Sequence, residues 1–187
     1  MDLSEERELV RQAQKAPDAF ATLYDHYYPR IFGYVLRRSA NLEAAQDITS
    51  ETFLKALAKL WQFRWRNVSF SSWLYRIATN EVNQYFRKVE YKRSVSLEEL
   101  QTQGFEPISP HDPERETMEA QEELKQHQDF LEIQARIVHL PAKYQEVITL
   151  RFFEKKQIKE IAEILGKREG TIKSLLHRAV EKLREID

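Results

Sequence analysis

The sequence predicts an all-α fold of two small helical domains joined by an acidic linker, the second domain being a helix-turn-helix. The 187 residues include only four glycines and six prolines, which leaves long stretches without a helix breaker. Apolar residues recur at three- and four-residue spacing along most of the chain, and no stretch shows the alternation of a strand. One proline-containing segment interrupts this periodicity and separates the two predicted domains.

The first domain is expected over residues 1–93 and begins with two helices. A short helix is predicted from Glu5 to Ala16, and Pro17 opens a second one with apolar residues along one face. Because Pro29 lies inside the second pattern, we expect a kink or a restart there.

Polar residues mark the starts of the next two helices. Asn41 is a suitable N-cap for the third helix, and Ser71 or Ser72 for the fourth. The third helix also carries a charged stripe with members four residues apart, namely Glu43, Asp47, Glu51, Lys55 and Lys59. This spacing is typical of ion pairs on a solvated face, but the first three members are carboxylates that repel one another. A basic partner surface would relieve that repulsion.

The linker is expected over residues 94–115 and the second domain over 116–187. Residues 96–123 hold nine acidic residues and one basic residue, whereas residues 60–93 hold seven basic and two acidic. Basic residues again outnumber acidic ones, ten to seven, from residue 151 to the end. A chain with net charge −1 can therefore carry two nucleic-acid contacts, although solvated helix faces explain the same pattern. Within the second domain, Pro141 is expected at a first helical position.

The stretch "IKEIAEILGKREGTIKSLLHRAVEKL" has the pattern of a helix-turn-helix. Gly166 suits the left-handed position that ends a helix, and Gly170 would allow a close approach of the next helix to its neighbours or to DNA. In that second helix, side chains that bond base edges point away from the apolar face: Lys173, Ser174, His177 and Arg178. An ordinary helical hairpin with a charged outer face is the alternative.

The stretch "LWQFRWRNVSFSSW" combines all three tryptophans with phenylalanines and arginines. Aromatic faces stack on unpaired bases while arginine binds phosphate, so this composition favours single-stranded nucleic acid. Some of these rings must instead belong to the core, and Trp73, in register with Ile77, is the first candidate.

Four stretches in order, "DITSETFLKAL", "FSSWLYRIATNEVNQYFRK", "LPAKYQEVITLRFF" and the helix-turn-helix above, closely resemble an extracytoplasmic-function (ECF) sigma factor of bacterial RNA polymerase. The resemblance covers nearly the whole chain except the linker. It implies that residues 1–93 are sigma region 2, which binds core polymerase and melts and reads the −10 promoter element. It implies that residues 116–187 are sigma region 4, which reads the −35 element as duplex.

The resemblance also implies roles for individual residues. The surface for the clamp helices of the largest polymerase subunit would contain Asp47, Ile48, Glu51 and Phe53. The −10 element would be contacted by Phe63, Arg64, Trp65, Phe70, Trp73, Arg76, Asn80, Asn83, Arg87 and Lys88. The −35 element would be contacted by Lys167, Arg168, Thr171, Lys173, Ser174, His177 and Arg178. The implied partners are core RNA polymerase, including the flap of its second-largest subunit, promoter DNA and an anti-sigma factor.

The chain departs from the family pattern at three places. Ser50 stands where glutamine is usual, and Lys167-Arg168 replaces an apolar residue followed by serine or proline. Leu175 stands where arginine is common, so one contact to the −35 element is in doubt.

Other classes explain less of the sequence. The five histidines have no metal-ligand spacing, and neither a phosphate-binding glycine loop nor a nucleophile elbow is present, so we expect neither an enzyme nor a cofactor. A stand-alone helix-turn-helix regulator would leave the carboxylate stripe and the tryptophan-rich stretch unexplained. The absence of cysteine and of a signal peptide fits a cytoplasmic protein.

Overall fold

The computed structural model describes residues 3–65, 68–95, 133 and 135–186, and every regular element in those ranges is helical. The α-helices are α1 (Leu3–Ala13), α2 (Phe20–Ser39), α3 (Leu42–Lys59), α4 (Phe70–Val95), α5 (Ala142–Ile148), α6 (Ile158–Leu165) and α7 (Glu169–Glu185). Short 3-10 turns precede α2 and follow α3, at Pro17–Ala19 and Leu60–Gln62. Helix α4 continues to Val95, two residues into the predicted linker of residues 94–115, and the rest of that linker lies outside the described residues.

The N-terminal half is a bundle in which α2, α3 and α4 pack on one another and α1 lies against α2 and α4. Its core comes from the apolar stripes of these helices, because residues three and four apart share one helix face. The fully buried members include Leu23, Ile31, Val35, Ala45, Ala56, Leu74, Ala78 and Val82. Burial of each leucine, isoleucine or valine in this set contributes about 1.5–3 kcal/mol to the stability of the fold.

Helix α2 runs through Pro29 without interruption, so the expected restart does not occur. An interior proline costs about 3 kcal/mol because it removes a backbone hydrogen bond and crowds the preceding turn. Tyr27 and Ile31 on either side of it are buried in the core, and their packing offsets that cost.

The helix starts agree with the sequence at one predicted cap and differ at two. Asn41 caps α3, because its Oδ1 accepts from the backbone N–H of Ala44 at 2.7 Å. Helix α4 begins earlier than expected, and the hydroxyl that accepts from its first turn belongs to Ser69, 3.0 Å from the N–H of Ser72. Pro141 lies at the N-cap of α5 and not at its first helical position.

The C-terminal half contains a π-helical turn that the sequence pattern did not predict. Thr149–Phe153 follows α5 directly, and the N–H of Glu154 donates to the carbonyl of Thr149, five residues earlier, at 3.1 Å. Lys155 follows with a φ of +53°, which ends the helix. Such turns insert one extra residue and often occur at functional sites.

The two halves lie against each other in the described conformation. Helix α6 packs on α4, and the π-helical turn contacts α2. The aromatic and basic segment of the first half is therefore next to the helix-turn-helix of the second.

Candidate nucleic-acid and protein interfaces

Helices α6 and α7 form the predicted helix-turn-helix. Gly166 ends α6 in the left-handed conformation, with φ +63° and ψ +35°. At its other end, α6 has a capping box in which the backbone N–H of Gln157 donates to Glu160 Oε2 at 2.8 Å. Ile172 and Ala179 bury one face of α7 against the rest of this half. The opposite face of α7 therefore points into solvent.

Every residue predicted to read the −35 element is exposed. These residues are Lys167, Arg168, Thr171, Lys173, Ser174, His177 and Arg178. His177 Nδ1 lies 3.3 Å from Glu181 Oε2, one turn further along the helix. Leu175, the departure from the family pattern, is half-buried and packs against the core. Since it faces inward, Leu175 does not belong to the exposed face of α7.

Gly170 is not in close contact with the protein. A Cβ placed on it would meet no atom within 4 Å, so the expected close approach to neighbouring residues is wrong. The other expected reason for glycine at this position, a close approach to DNA, stays a prediction.

The polar side of α4 forms the candidate −10 face. Asn80, Arg87 and Lys88 are exposed, and Asn83 is half-buried. Arg64, in the loop before α4, is exposed, and its Nη1 donates to the carbonyl of Trp61 at 2.7 Å. Arg64 therefore braces the loop that carries the aromatic residues.

The aromatic residues of this segment are less available than the sequence suggested. Phe63 and Phe70 are buried, with ring centroids 5.8 Å apart. Trp65 and Trp73 are half-buried and pack against Phe63 at 5.5 and 5.1 Å. The interpretation of the two phenylalanines as base-stacking residues does not fit this conformation, because either ring would have to leave the core to reach a base.

Helix α3 carries the candidate polymerase-binding surface, but two of its four predicted residues face inward. Asp47 and Glu51 are exposed, whereas Ile48 and Phe53 are buried. Phe53 packs against Tyr24 with ring centroids 4.7 Å apart. The assignment of Ile48 and Phe53 to a surface contact is therefore corrected: both belong to the core of the N-terminal half.

Leu54 extends the face of Asp47 and Glu51, and Trp61 is exposed in the 3-10 turn that follows α3; sequence reasoning assigned neither to this surface. Leu54 is 63% exposed and Trp61 65%. Helical spacing places Leu54 three residues after Glu51, on the same side of α3. The signal was present in the sequence, because Leu54 lies off the apolar stripe that includes Phe53 and Ala56. A carboxylate patch continued by large apolar side chains has the composition of a protein interface.

Lys55 compensates part of the carboxylate stripe. Its Nζ lies 3.1 Å from Glu51 and 2.6 Å from Glu81 of α4. The hydrogen bond to Glu81 is the main reason that the pKa of Lys55 is raised above its usual value. Within the described residues, neither Glu43 nor Asp47 has a side-chain hydrogen bond or ion pair, so two of the three carboxylates of the stripe are unpaired.

A set of polar contacts joins the two halves. Glu154 accepts from Arg37 of α2 and from the hydroxyl of Tyr75 of α4. Glu146 accepts from the amide nitrogen of Asn83 at 2.7 Å. Burial, and then the neighbouring Glu154, raises the pKa of Tyr75, so its hydroxyl stays protonated and donates. Sequence reasoning did not identify either glutamate.

The described residues include no group of three or more side chains that could hold a metal ion. None of the described helices is both long and apolar enough to cross a membrane.

Comparison with protein families matches both halves of the chain. Residues 23–91 match the family described as sigma-70 region 2, and residues 130–183 match sigma-70, region 4. Together these segments cover more than half of the chain, which therefore belongs to the sigma-70 family.

Individual relatives narrow this class. The chain is 34% identical over 180 residues to the ECF RNA polymerase sigma factor SigW of Bacillus subtilis, covering 94% of this chain and 93% of SigW. It is 33% identical over 180 residues to the ECF sigma factor BldN of Streptomyces coelicolor, covering 96% of this chain and spanning 64% of BldN. The chain is thus a member of the ECF group of RNA polymerase sigma factors.

A solved structure agrees on the fold. The sigma factor RpoE of Bartonella quintana, crystallised with the anti-sigma factor NepR, superposes with a TM-score of 0.66 and 23% sequence identity. The match covers 89% of this chain and 95% of that one.

Proposed function

We propose that this sigma factor directs core RNA polymerase to promoters by reading the −35 element as duplex and the −10 element as melted DNA. The observation that supports this proposal best is that all seven predicted −35 residues are exposed, five on the outward face of α7 and two in the turn before it, while the opposite face of α7 packs on the protein. A helix held in this way can enter a major groove.

Core binding is proposed to use the outer face of α3. Asp47 and Glu51 supply negative charge, Leu54 supplies apolar area on the same side, and Trp61 adds an exposed ring in the turn that follows α3. The proposed partner surface is basic with an apolar centre, as the clamp helices of the largest polymerase subunit would have to be. Region 4 is proposed to bind the flap of the second-largest subunit.

Reading of the −10 element is proposed to use the polar side of α4. Asn80 and Arg76 would contact a captured base or the backbone of the displaced strand, with Arg87 and Lys88 on phosphates. Aromatic stacking by Trp65 or Trp73 would add roughly 1–3 kcal/mol to the free energy of binding for each stacked base. The proposed domain arrangement remains residues 1–93, linker 94–115 and residues 116–187.

Reconstitution with purified core polymerase tests the proposal. The parent chain should support transcription from a subset of a randomised promoter library and should bind core. Asp47→Lys with Glu51→Lys should weaken core binding at least about tenfold, because juxtaposed like charges at an interface cost several kcal/mol. The matched control is Glu8→Lys with Asp25→Lys, which reverses two exposed charges elsewhere in the N-terminal half and should bind core like the parent.

Two results would contradict the proposal. If the parent chain binds duplex DNA but never co-purifies with core, the chain acts as a stand-alone helix-turn-helix regulator. If the α3 double variant and its control bind core equally, the polymerase surface lies elsewhere. An anti-sigma factor is a further proposed partner, by analogy with the relative crystallised with one.

A further inference from the structure

The first turn of α7 carries a carboxylate that is not among the predicted −35 residues. Glu169 is the first residue of α7 and is exposed. Residues proposed to contact DNA flank it on both sides along the chain, namely Lys167, Arg168, Thr171 and Lys173. A negative charge in the middle of a surface for DNA is unfavourable by itself, because the phosphates repel it.

The carboxylate of Glu169 has no partner in the part of the chain that the structure describes. Its side chain forms neither a hydrogen bond nor an ion pair there. Lys173 lies one turn further along, at the spacing and in the order that favour an ion pair, yet within the same residues it is unpaired as well. On α3 the same spacing and order do give a pair, with Glu51 Oε1 3.1 Å from Lys55 Nζ. Glu169 is therefore free to accept a hydrogen bond from a ligand.

The other two carboxylates of α7 are paired and lie toward its C-terminal end. Glu181 Oε2 lies 3.3 Å from His177 Nδ1, and Glu185 Oε2 lies 3.8 Å from Lys182 Nζ. Even the nearer of the two is about 18 Å from Glu169 along the helix axis, at 1.5 Å for each residue. In a helix-turn-helix the N-terminal residues of the second helix contact the base edges. The unpaired carboxylate is thus the one at the DNA-reading end of α7.

The residues next to Glu169 leave room for a base pair and offset the repulsion. Gly170 has no side chain, and a Cβ placed on it would meet no atom within 4 Å. Lys167 and Arg168 are both exposed, so they can bind phosphates at the edge of the groove. Their two positive charges compensate the negative charge of Glu169 near the DNA backbone. The carboxylate can therefore enter the major groove with the first turn of α7.

The chemistry of the groove selects the base that a carboxylate can contact. Only two base groups donate hydrogen bonds in the major groove, namely N4 of cytosine and N6 of adenine. The adenine amino group lies between two acceptors, its own N7 and O4 of the paired thymine, and both repel a carboxylate. The cytosine amino group has an acceptor on one side only, which is O6 of the paired guanine. A free carboxylate therefore favours cytosine.

We propose that Glu169 determines the sequence at one position of the −35 element by accepting a hydrogen bond from N4 of a cytosine. At the same position it rejects guanine and thymine, whose groove edges present acceptors. Glu169 thus supplies an acceptor beside the donors Lys173 and Arg178 on the same helix. This inference rests on the proposed function, because it requires that α7 enters the major groove.

Selection from a duplex library tests the inference. The full chain, assembled with core polymerase, selects from double-stranded DNA with a randomised −35 region, and single-base variants of the selected sequence are then measured one by one. At one cytosine, any other base should weaken binding by the parent roughly tenfold. Glu169→Ala should lose discrimination at that position and keep it elsewhere. Glu169→Gln should prefer adenine there, because an amide donates to N7 and accepts from N6.

A control variant and a modified base separate base reading from a change in the fold. Glu185→Gln removes a charge from the far end of α7 and should discriminate like the parent. In N4-methylcytosine paired with guanine, a methyl group replaces the amino hydrogen that faces the major groove. At the selected cytosine, this base should weaken binding by the parent and leave binding by Glu169→Ala unchanged. Circular dichroism confirms that each variant is folded.

The outcomes separate this inference from the proposed function. A carboxylate in a first turn also stabilises its helix through the dipole, and that role alone would change the affinity for every sequence by one factor. Such a uniform change, or an unchanged base preference in both Glu169 variants, would overturn the inference and leave the reading of the −35 element intact. Equal weakening of the parent and Glu169→Ala by N4-methylcytosine would overturn it as well. If the parent with core polymerase binds all −35 variants alike, the proposed reading fails and this inference fails with it.

Discussion

Gly166 and Gly170 lie four residues apart in the helix-turn-helix, and only Gly166 has a left-handed backbone. Gly166 has φ +63°, and a Cβ there would meet no atom within 4 Å. Its requirement for glycine is therefore conformational, since a left-handed backbone costs other residues about 1–2 kcal/mol. Gly170 lies in the first turn of α7, also with open space around it.

Gly166→Ala should therefore lower the free energy of unfolding by about 1–2 kcal/mol. Gly170→Ala should raise it by roughly 0.5–1 kcal/mol, because alanine loses less conformational freedom in a helix. Urea unfolding followed by circular dichroism measures both. Equal effects of the two substitutions would contradict this account. If Gly170 serves close approach to DNA, Gly170→Ala should weaken −35 binding while stabilising the protein.

Arg178 and Lys167 are both exposed but are expected to act differently on DNA. Arg178 lies on the outward face of α7, where a bidentate contact to a base is worth about 1–3 kcal/mol. Arg178→Ala should therefore lose discrimination at one or two adjacent −35 positions. Lys167, in the turn before α7, should contact phosphate, and Lys167→Ala should weaken binding evenly and flatten its salt dependence.

Binding of both variants to single-base −35 mutants at two salt concentrations measures this difference. If Arg178→Ala lowers every affinity by one common factor, Arg178 contacts the backbone and the recognition face must be reassigned.

At the scale of elements, α1 is joined to the bundle through one buried carboxylate. Glu6 Oε1 accepts from the hydroxyl of Tyr27 on α2 and, at 3.1 Å, from the N–H of Ser71 in the first turn of α4. A carboxylate at a helix N-terminus is favoured by the helix dipole. Glu6 thus fastens three helices together.

Glu6→Ala should destabilise the protein by about 1–3 kcal/mol, because it leaves a buried hydroxyl and a backbone N–H without an acceptor. The matched control is Glu8→Ala on the same helix, where the exposed carboxylate pairs with Arg11 and the expected change is within about 0.5 kcal/mol. Thermal unfolding of the two variants and the parent measures the loss of stability in each. Similar losses for both variants would show that α1 is held by its apolar face alone.

At the scale of the whole molecule, three buried tyrosines set an alkaline limit to stability. Burial is the main cause of the raised pKa values of Tyr27, Tyr34 and Tyr75. A raised pKa in the folded state gives stability that is complete below the unfolded-state pKa, 10.0 for tyrosine, and is lost as the pH rises above it. Each tyrosine should then lower the free energy of unfolding by about 1.4 kcal/mol for every pH unit above that value.

Denaturant unfolding at a series of pH values above 10.0 measures this loss. Tyr75→Phe should make the fall of stability with pH less steep by the contribution of one tyrosine. A slope identical to that of the parent would mean that Tyr75 ionises equally in the folded and unfolded states.

The sequence by itself determined the helical elements and the class of protein. Helical spacing is a local property, so the stripes of α2, α3, α4 and α7 could be read without coordinates. The N-cap at Asn41 and the left-handed Gly166 are confirmed for the same reason, because each depends on chemistry within one turn. The exposed face of α7 also follows from the spacing of its buried residues.

Only the tertiary structure decided which of the apolar residues near charged segments are buried and which long-range polar contacts form. Sequence spacing could not tell that Phe63 and Phe70 lie in the core, since an aromatic residue beside arginines suits a core and a nucleic-acid surface alike. The contacts of Glu146 and Glu154 join residues 63 or more positions apart, as in Asn83 with Glu146. No local pattern encodes such pairs, because they depend on how the two halves pack and on the water that this packing excludes.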